Sequence, residues 1–480
     1  MVILQSAKTT IEVHFSFIAN NNFTLSDMNN KNLLTALFSV VFLVVACKKK
    51  DLTGDLTPPP PPVDVVSKLK DSVLLYSRDI YLWYAQIPST FNAQKYEDPD
   101  KIMTAIRAFS IEPGFSQPVD RWSFAYKQKD WDNVSSGISQ DFGLNIFFLA
   151  DGDLRVKYVE RASPAGLAGI KRGWQLTKIN GSTNITISNA EFIVKAVYES
   201  ASGNFTFKKP DGTSIDINLT AASYQEHPIL LDSVYTVNGK QAGYLAFNSF
   251  LGDTTEIYNR FQQVFNRFAQ QNVQDVVIDL RYNGGGYVTV QQKLANYLIN
   301  GAGNGQLMMK EQFNDKYSQF NESTNFNKLG TLNLSRIFFI VSNSTASASE
   351  LLINNLKPYM NVLLVGPSDT YGKPVGFFPI PVEDWYIFPV SFRSTNRNGE
   401  GNYFNGLTVN SKVGDGLDKD WGDTNELAFA SALKYIATGA FRVRTDTRAT
   451  PYAPDPLVVK ANKVLDIPNF KGTIGTQKVF

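Results

Sequence analysis

One rhythm, repeated between residues 239 and 366, constrains this chain more than any other feature. Unbroken apolar runs (GKQAGYLAF, VQDVVIDL, RIFFIV, NVLLVG) alternate with amphipathic stretches (TTEIYNRFQQVFNRFAQQ, YVTVQQKLANYLI, SASELLINNLKPY). A strand apolar at consecutive positions is buried on both faces, and only helices laid over both faces can bury it, so the pattern predicts a mostly parallel sheet. In such sheets ligands collect where strands end at their carboxyl edge. Three loops leave that edge: RYNGGG (281–286), SNSTASA (342–348) and PSDTYGK (367–373).

The chain ahead of this rhythm has a different texture. SKLKDSVLLYSRDIYLWYAQI carries Val73, Leu74, Tyr76, Ile80, Trp83 and Tyr84 near one helical stripe, with Pro88 as the stop. DPDKIMTAIRAFSI predicts a second helix, opened by Asp98 or Asp100 with Pro99 in its first turn. Packing alone does not account for DRWSF, residues 120–124. From about Gly137 short strands follow, and Pro210-Asp211-Gly212 supplies a hairpin turn between two alternating ones.

The 480 residues suggest two to four domains, and 43% apolar with 19% charged residues is a globular composition. A net charge of +2 offers no electrostatic case for nucleic acid. The sole cysteine, Cys47, leaves no intramolecular disulfide or thiolate zinc cage, and two histidines, His14 and His227, argue against a histidine-built metal site. No metal and no cofactor are expected. The apolar run 33–46, which follows Lys31, reaches only ~21 Å as a helix, against a hydrocarbon core of ~30 Å. That is a signal-peptide length, with Met28 as the expected true start. Val44-Val45-Ala46-Cys47 resembles the bacterial lipobox, which implies that Cys47 is lipidated and anchors the chain in a bacterial cell envelope, at the outer membrane, facing periplasm or surface. Consecutive prolines at 58–62 predict a stiff extended stalk.

The three carboxyl-edge loops carry the candidate chemistry. Ser347-Ala348-Ser349-Glu350 fits a capping box, but the same helix N-terminus also offers amides and a positive dipole end to a developing oxyanion, so capping and nucleophile both stand. A serine nucleophile needs a base. His227, in the connecting SYQEHPIL, is poorly placed for a triad and is expected to be a surface or interdomain residue. Lys373 lies just past the strand at 362–365, among Tyr371, Val375, Phe377 and Phe378, and burial there would depress its pKa from ~10.4 toward ~7–8. The glycines of RYNGGG permit close backbone approach to a ligand, and the loop fits neither a dinucleotide nor a P-loop fingerprint.

Ser163-Pro164-Ala165-Gly166 with Ala168-Gly169, Gly173 and Ile179-Asn180-Gly181 resembles the PDZ domain of bacterial proteases, which makes Phe142, Gly143, Leu144 and Asn145 the expected carboxylate-binding loop. VVIDLRYNGGG, STASASELL and TYGKPVG, in that order behind it, resemble the carboxyl-terminal processing (tail-specific) serine proteases, over roughly residues 135–435. The resemblance implies a crotonase-like catalytic domain, Ser347 as nucleophile, Lys373 as general base, and Ala348 and Gly285 as oxyanion amides. Two positions depart from it: Phe377 stands where many members carry a glutamine that orients the lysine, and Pro358 where some carry an aspartate.

The expected fold is multidomain α+β: signal peptide 1–46, lipid-anchored linker 47–63, N-terminal helical domain 64–134, PDZ-like β-rich domain 135–225, crotonase-like α/β catalytic domain 226–440 and tail 441–480. The expected function is a Ser-Lys serine endopeptidase cleaving unfolded or C-terminally presented polypeptides. A catalytically weak or inactive peptide-binding lipoprotein is the alternative, and a nutrient-binding lipoprotein is a third reading. The tail itself carries no functional signal in the sequence.

Overall fold

The computed structural model describes residues 64–441, 455–466, 470 and 472–475. The leader, Cys47 and the proline run lie outside the described residues.

The alternating rhythm folds into a six-stranded sheet. Its order is Ser411–Lys412, Asn361–Gly366, Arg336–Ile340, Val273–Asp279, Lys240–Phe247, Ile229–Val237. Every neighbouring pair is parallel except the last. Successive side chains point to opposite faces, and the core divides accordingly. Val276, Ile278 and Phe339 join Phe261, Leu294 and Leu351 of helices on one side, while Val277, Phe338 and Ile340 join Ala428, Phe429 and Ala432 of helix Leu427–Thr438 on the other. The helix Thr254–Gln270 shows why the pattern was legible: Asp253 accepts from the Thr255 and Glu256 amides at its start, and Ile257, Phe261, Val264, Phe265 and Phe268 line one buried face. Each such side chain contributes about 1.5–3 kcal/mol when buried.

The antiparallel edge strand Ile229–Val237 falls in what the sequence pattern treats as a connection. Asn238 and Gly239 both adopt positive φ, 49° and 76°, and Val237 pairs with Lys240, so a two-residue Asn-Gly turn folds this strand back onto its neighbour.

In the front segment the first helix runs Val65–Ile80 and stops well short of Pro88. Tertiary bonds end it: Tyr81 turns extended, its hydroxyl donates to Asp120, and the Leu82 amide donates to the Val390 carbonyl. The second helix, Pro99–Ile106, is capped by Asp98, whose carboxylate accepts from the Lys101 amide. DRWSF also finds its role, since Phe124–Lys127 pairs with Trp385–Phe388 and Asp120 accepts from the Trp122 and Ser123 amides.

Residues 144–220 form a separate five-stranded antiparallel sheet in sequential order, Leu144–Ala150, Asp153–Val159, Gln175–Ile179, Ser202–Lys208 and Ser214–Thr220. The Pro-Asp-Gly turn closes its last hairpin, with Lys208 opposite Ser214. Leu144–Ala150 is an edge strand, and helix Pro456–Leu465 packs beside it, burying Val458, Ala461 and Leu465 in that unit's core. Arg172 ties this unit to the larger sheet: wholly buried, it donates to Asp415 and to the Tyr282 hydroxyl. Asp415 also accepts from Arg281, which is held by Asp279 and Glu426.

Candidate active site

Strands Val273–Asp279, Arg336–Ile340 and Asn361–Gly366 lie side by side and parallel, so the three loops that follow them emerge on one edge. Hydroxyls of SNSTASA and of Ser349 just after it stitch the first two loops together. Thr345 Oγ1 donates to the Leu280 carbonyl at 2.8 Å, Ser342 Oγ to the Arg281 carbonyl, and Ser349 Oγ to the Asn283 carbonyl at 3.1 Å. The Ala346 amide donates to that same Asn283 carbonyl.

Ser347 then turns the chain into helix Ala348–Leu356 with φ 62° and ψ −111°. A non-glycine residue held there is strained, and sharp strand-to-helix turns of this kind present nucleophiles. The next amide, of Ala348, is the first of the helix's orphan N–H groups. Gly285 sits against it, because a Cβ on Gly285 would lie 2.9 Å from the Ala348 nitrogen and 2.5 Å from the Gly472 carbonyl oxygen. Only glycine fits that position, at φ 105°. The Gly285 amide itself donates to Asn283 Oδ1 at 2.9 Å, so its service to an oxyanion requires sharing that bond.

Glu350 is the centre of the arrangement. The carboxylate is fully buried, and its Oε2 accepts from the Ser347 amide and from the Lys373 amide, each at 2.8 Å. Oε1 accepts from the Gly372 amide at 2.7 Å and from the Thr370 hydroxyl at 2.5 Å. One carboxylate oxygen thus holds the backbones of both candidate reacting residues. Burial pushes the carboxyl up, against these four bonds, which favour its charged form.

Lys373 is fully buried, as are Val375, Phe377 and Phe378. Burial holds its amine well below the ordinary lysine range, opposed by Asp120 and reinforced by Arg107. Nζ lies 3.7 Å from the centroid of the Phe377 ring and 5.7 Å from that of Trp122. Phe377, at the place where a glutamine would orient the amine, therefore offers it an aromatic face. Arg121 closes the wall, donating to the carbonyls of Tyr371, Gly372 and Phe404.

Residues 472–475 lie against the site. Gly472–Ile474 runs parallel to Gly285–Tyr287, and Thr473 Oγ1 is hydrogen-bonded to Ser347 Oγ.

The chain's residues 241–411 match the sequence profile described as Peptidase family S41. This stretch is a peptidase family S41 domain. The S41 domain spans the sheet from Gln241 to Ser411 and contains Gly285, Ser347, Glu350 and Lys373. Its relatives include the carboxy-terminal processing proteases CtpB and CtpA of Bacillus subtilis strain 168. They are 24% identical over 280 residues and 23% over 302, covering 57% and 60% of this chain. The chain spans little more than half the length of these relatives, 54% and 58%. Among solved structures, an S41-assigned protein of Bacteroides fragilis NCTC 9343 superposes with a TM-score of 0.62 at 24% identity, over 76% of this chain and 96% of that one, and shows the same mixed α/β fold.

The S41 domain thus brings together Ser347, Ala348, Gly285 and Lys373. Phe142, Gly143, Leu144 and Asn145 stand apart in the five-stranded unit. There Gly143, at φ 68°, donates to Asp141 at 2.6 Å, its carbonyl accepts from the Glu160 amide, and the Phe142 carbonyl accepts from the Ala165 amide. His227 is engaged elsewhere, its Nδ1 2.7 Å from Glu256 and its amide donating to Glu160. Among the described residues no group of three or more His, Cys, Asp or Glu could hold a metal ion. Sequence reasoning saw Glu350 only as a capping residue and missed Thr370, Asn283 and Thr473. The first two lie inside the quoted loops and were open to the question of what pairs with their buried polar groups; Thr473 carried no local signal.

Proposed function

We propose that this protein is a serine endopeptidase working with a Ser347–Lys373 dyad. The observation that carries the reading is that a strained serine at a helix N-terminus and a buried lysine of depressed basicity are hydrogen-bonded through their amides to a single oxygen of Glu350. In this mechanism Lys373 Nζ takes the Ser347 proton as Oγ adds to the substrate amide carbon. The Ala348 amide, with Gly285 at its side, receives the oxyanion. Lys373 returns the proton to the leaving amine, and water repeats the cycle on the acyl-enzyme. The substrate is an unfolded or C-terminally presented polypeptide, captured by a PDZ-like unit through Phe142, Gly143, Leu144 and Asn145, and the chain is anchored in a bacterial envelope through lipidated Cys47.

Casein digestion and fluorophosphonate labelling test the reading: wild type is expected to cleave and label, while Ser347→Ala and Lys373→Ala each lose at least about 100-fold in rate. Undiminished turnover in both variants defeats it. The second reading, a peptide binder of low or no activity, draws on Phe377 in place of an orienting glutamine and predicts peptide affinity without labelling. An unmodified Cys47 in the mature protein's mass spectrum defeats the anchor.

A further inference from the structure

Two described pieces of the chain's last 26 residues sit where a polypeptide substrate would have to bind. Gly472–Ile474 forms a strand between the glycine turn and Phe377. Gly472 N–H donates to the Gly284 carbonyl at 3.0 Å, Phe377 N–H donates to the Thr473 carbonyl at 3.0 Å, and Gly475 N–H donates to the Phe377 carbonyl at 2.9 Å. These are the backbone groups that an extended peptide would use if it were laid across Ser347. Thr473 presents its hydroxyl to Ser347 Oγ, and a hydroxyl has no electrophilic carbon to attack. With the segment in place Ser347 and Lys373 are both fully buried, and Thr473 is only 3% exposed.

The second piece lies on the five-stranded unit. Asn462 of helix Pro456–Leu465 accepts from the Phe148 amide at 2.8 Å and donates to the Phe148 carbonyl at 2.9 Å. Its side-chain amide thereby takes both backbone bonds of an edge-strand residue, which an added peptide strand would otherwise take. Lys157, on the neighbouring strand, adds an ion pair to Asp466.

We propose, on the endopeptidase reading above, that residues 455–466 and 472–475 are intramolecular occupants of the two polypeptide-binding places, holding the enzyme latent until an extended polypeptide displaces them. A tethered segment competes at an effective concentration in the ~mM range, and substrate affinity falls by the fraction of molecules left open. Occupancy therefore raises KM and slows active-site labelling without altering the chemistry at Ser347.

Full-length variants test this. Gly475→Pro deletes the N–H that bonds Phe377, and Thr473→Ala keeps every backbone bond while removing the hydroxyl, so a folding defect in the first leaves the second informative. Fluorophosphonate labelling of Ser347 is expected to accelerate at least about five-fold in both, with the KM for casein falling by a similar factor. A synthetic peptide of residues 455–475, added to Gly475→Pro, is expected to restore slow labelling. Labelling equal to wild type in both variants overturns the occupant and leaves the peptidase reading standing. No Ser347-dependent labelling in any form, wild type included, overturns both.

Discussion

At the residue scale, Glu350 does what neither capping nor catalysis alone would ask of it. All four hydrogen bonds it accepts come from groups that can only donate toward it in this geometry, two from the serine and lysine backbones. An amide at this position must turn its NH2 toward donors, so Glu350→Gln is expected to cost about 2–4 kcal/mol in chemical denaturation and to lower kcat more than it raises KM. Lys373 predicts a pH profile. Its depressed basicity means the neutral amine, the form able to take a proton, is already abundant well below lysine's ordinary value near ~10.4, and the acid limb of kcat/KM should fall there. A limb at the ordinary value would mean that the amine is solvated in the working enzyme. In the sequence, the apolar company of Lys373 was visible, whereas the ring beneath its amine was not. Phe377 registers there as one of that company and as a departure from a motif, not as a ring facing the amine.

Among elements, the parallel strands and their helices were legible because burial on both faces writes itself into consecutive residues. The antiparallel strand Ile229–Val237 was not. Its burial is mostly partial and its residues mixed, and only the Asn238-Gly239 turn marks it. The first helix was overextended because the stripe of Trp83 and Tyr84 continues past Ile80, while the bonds that turn the chain at Tyr81 come from residues far along it, Asp120 and Val390. Gly286 offers a test of the glycine turn. At φ 139°, a Cβ there would lie 2.4 Å from the Phe250 carbonyl carbon, so Gly286→Ala is expected to destabilise by about 2–3 kcal/mol and to depress turnover, read by thermal melts and casein digestion. The five-stranded unit carries its own titration. Burial raises the Glu160 carboxyl to about 8, so the stability that depends on its protonated form is complete below the unfolded value near ~4.3 and is lost as pH rises through 8. Glu160→Gln should flatten the decline in Tm between pH 5 and 9; an unchanged slope would place the titration elsewhere.

Across the whole molecule, the two sheets are joined by charges taken out of water. Arg172 from the five-stranded unit meets Asp415, Tyr282 and, through Asp415, the Arg281 that opens the glycine loop. Burial alone would raise the Asp415 carboxyl, but Arg172 and Arg281 override it and hold it at about 2. Its stabilisation is therefore present above the unfolded value near ~3.9 and is lost as pH falls through 2. The stability gap between wild type and Asp415→Asn should shrink accordingly from pH 5 to pH 2. Removing one partner strands the others, so Arg172→Ala is expected to cost on the order of 3 kcal/mol in urea unfolding. Nothing in GIKRGW predicts this junction, since its partners stand 110 and 243 positions away.

Fastening two loops to one buried oxygen leaves little room for gradual wear. Damage to either loop loosens the other at once, so variants around this point should divide into near-normal and dead rather than forming a smooth series.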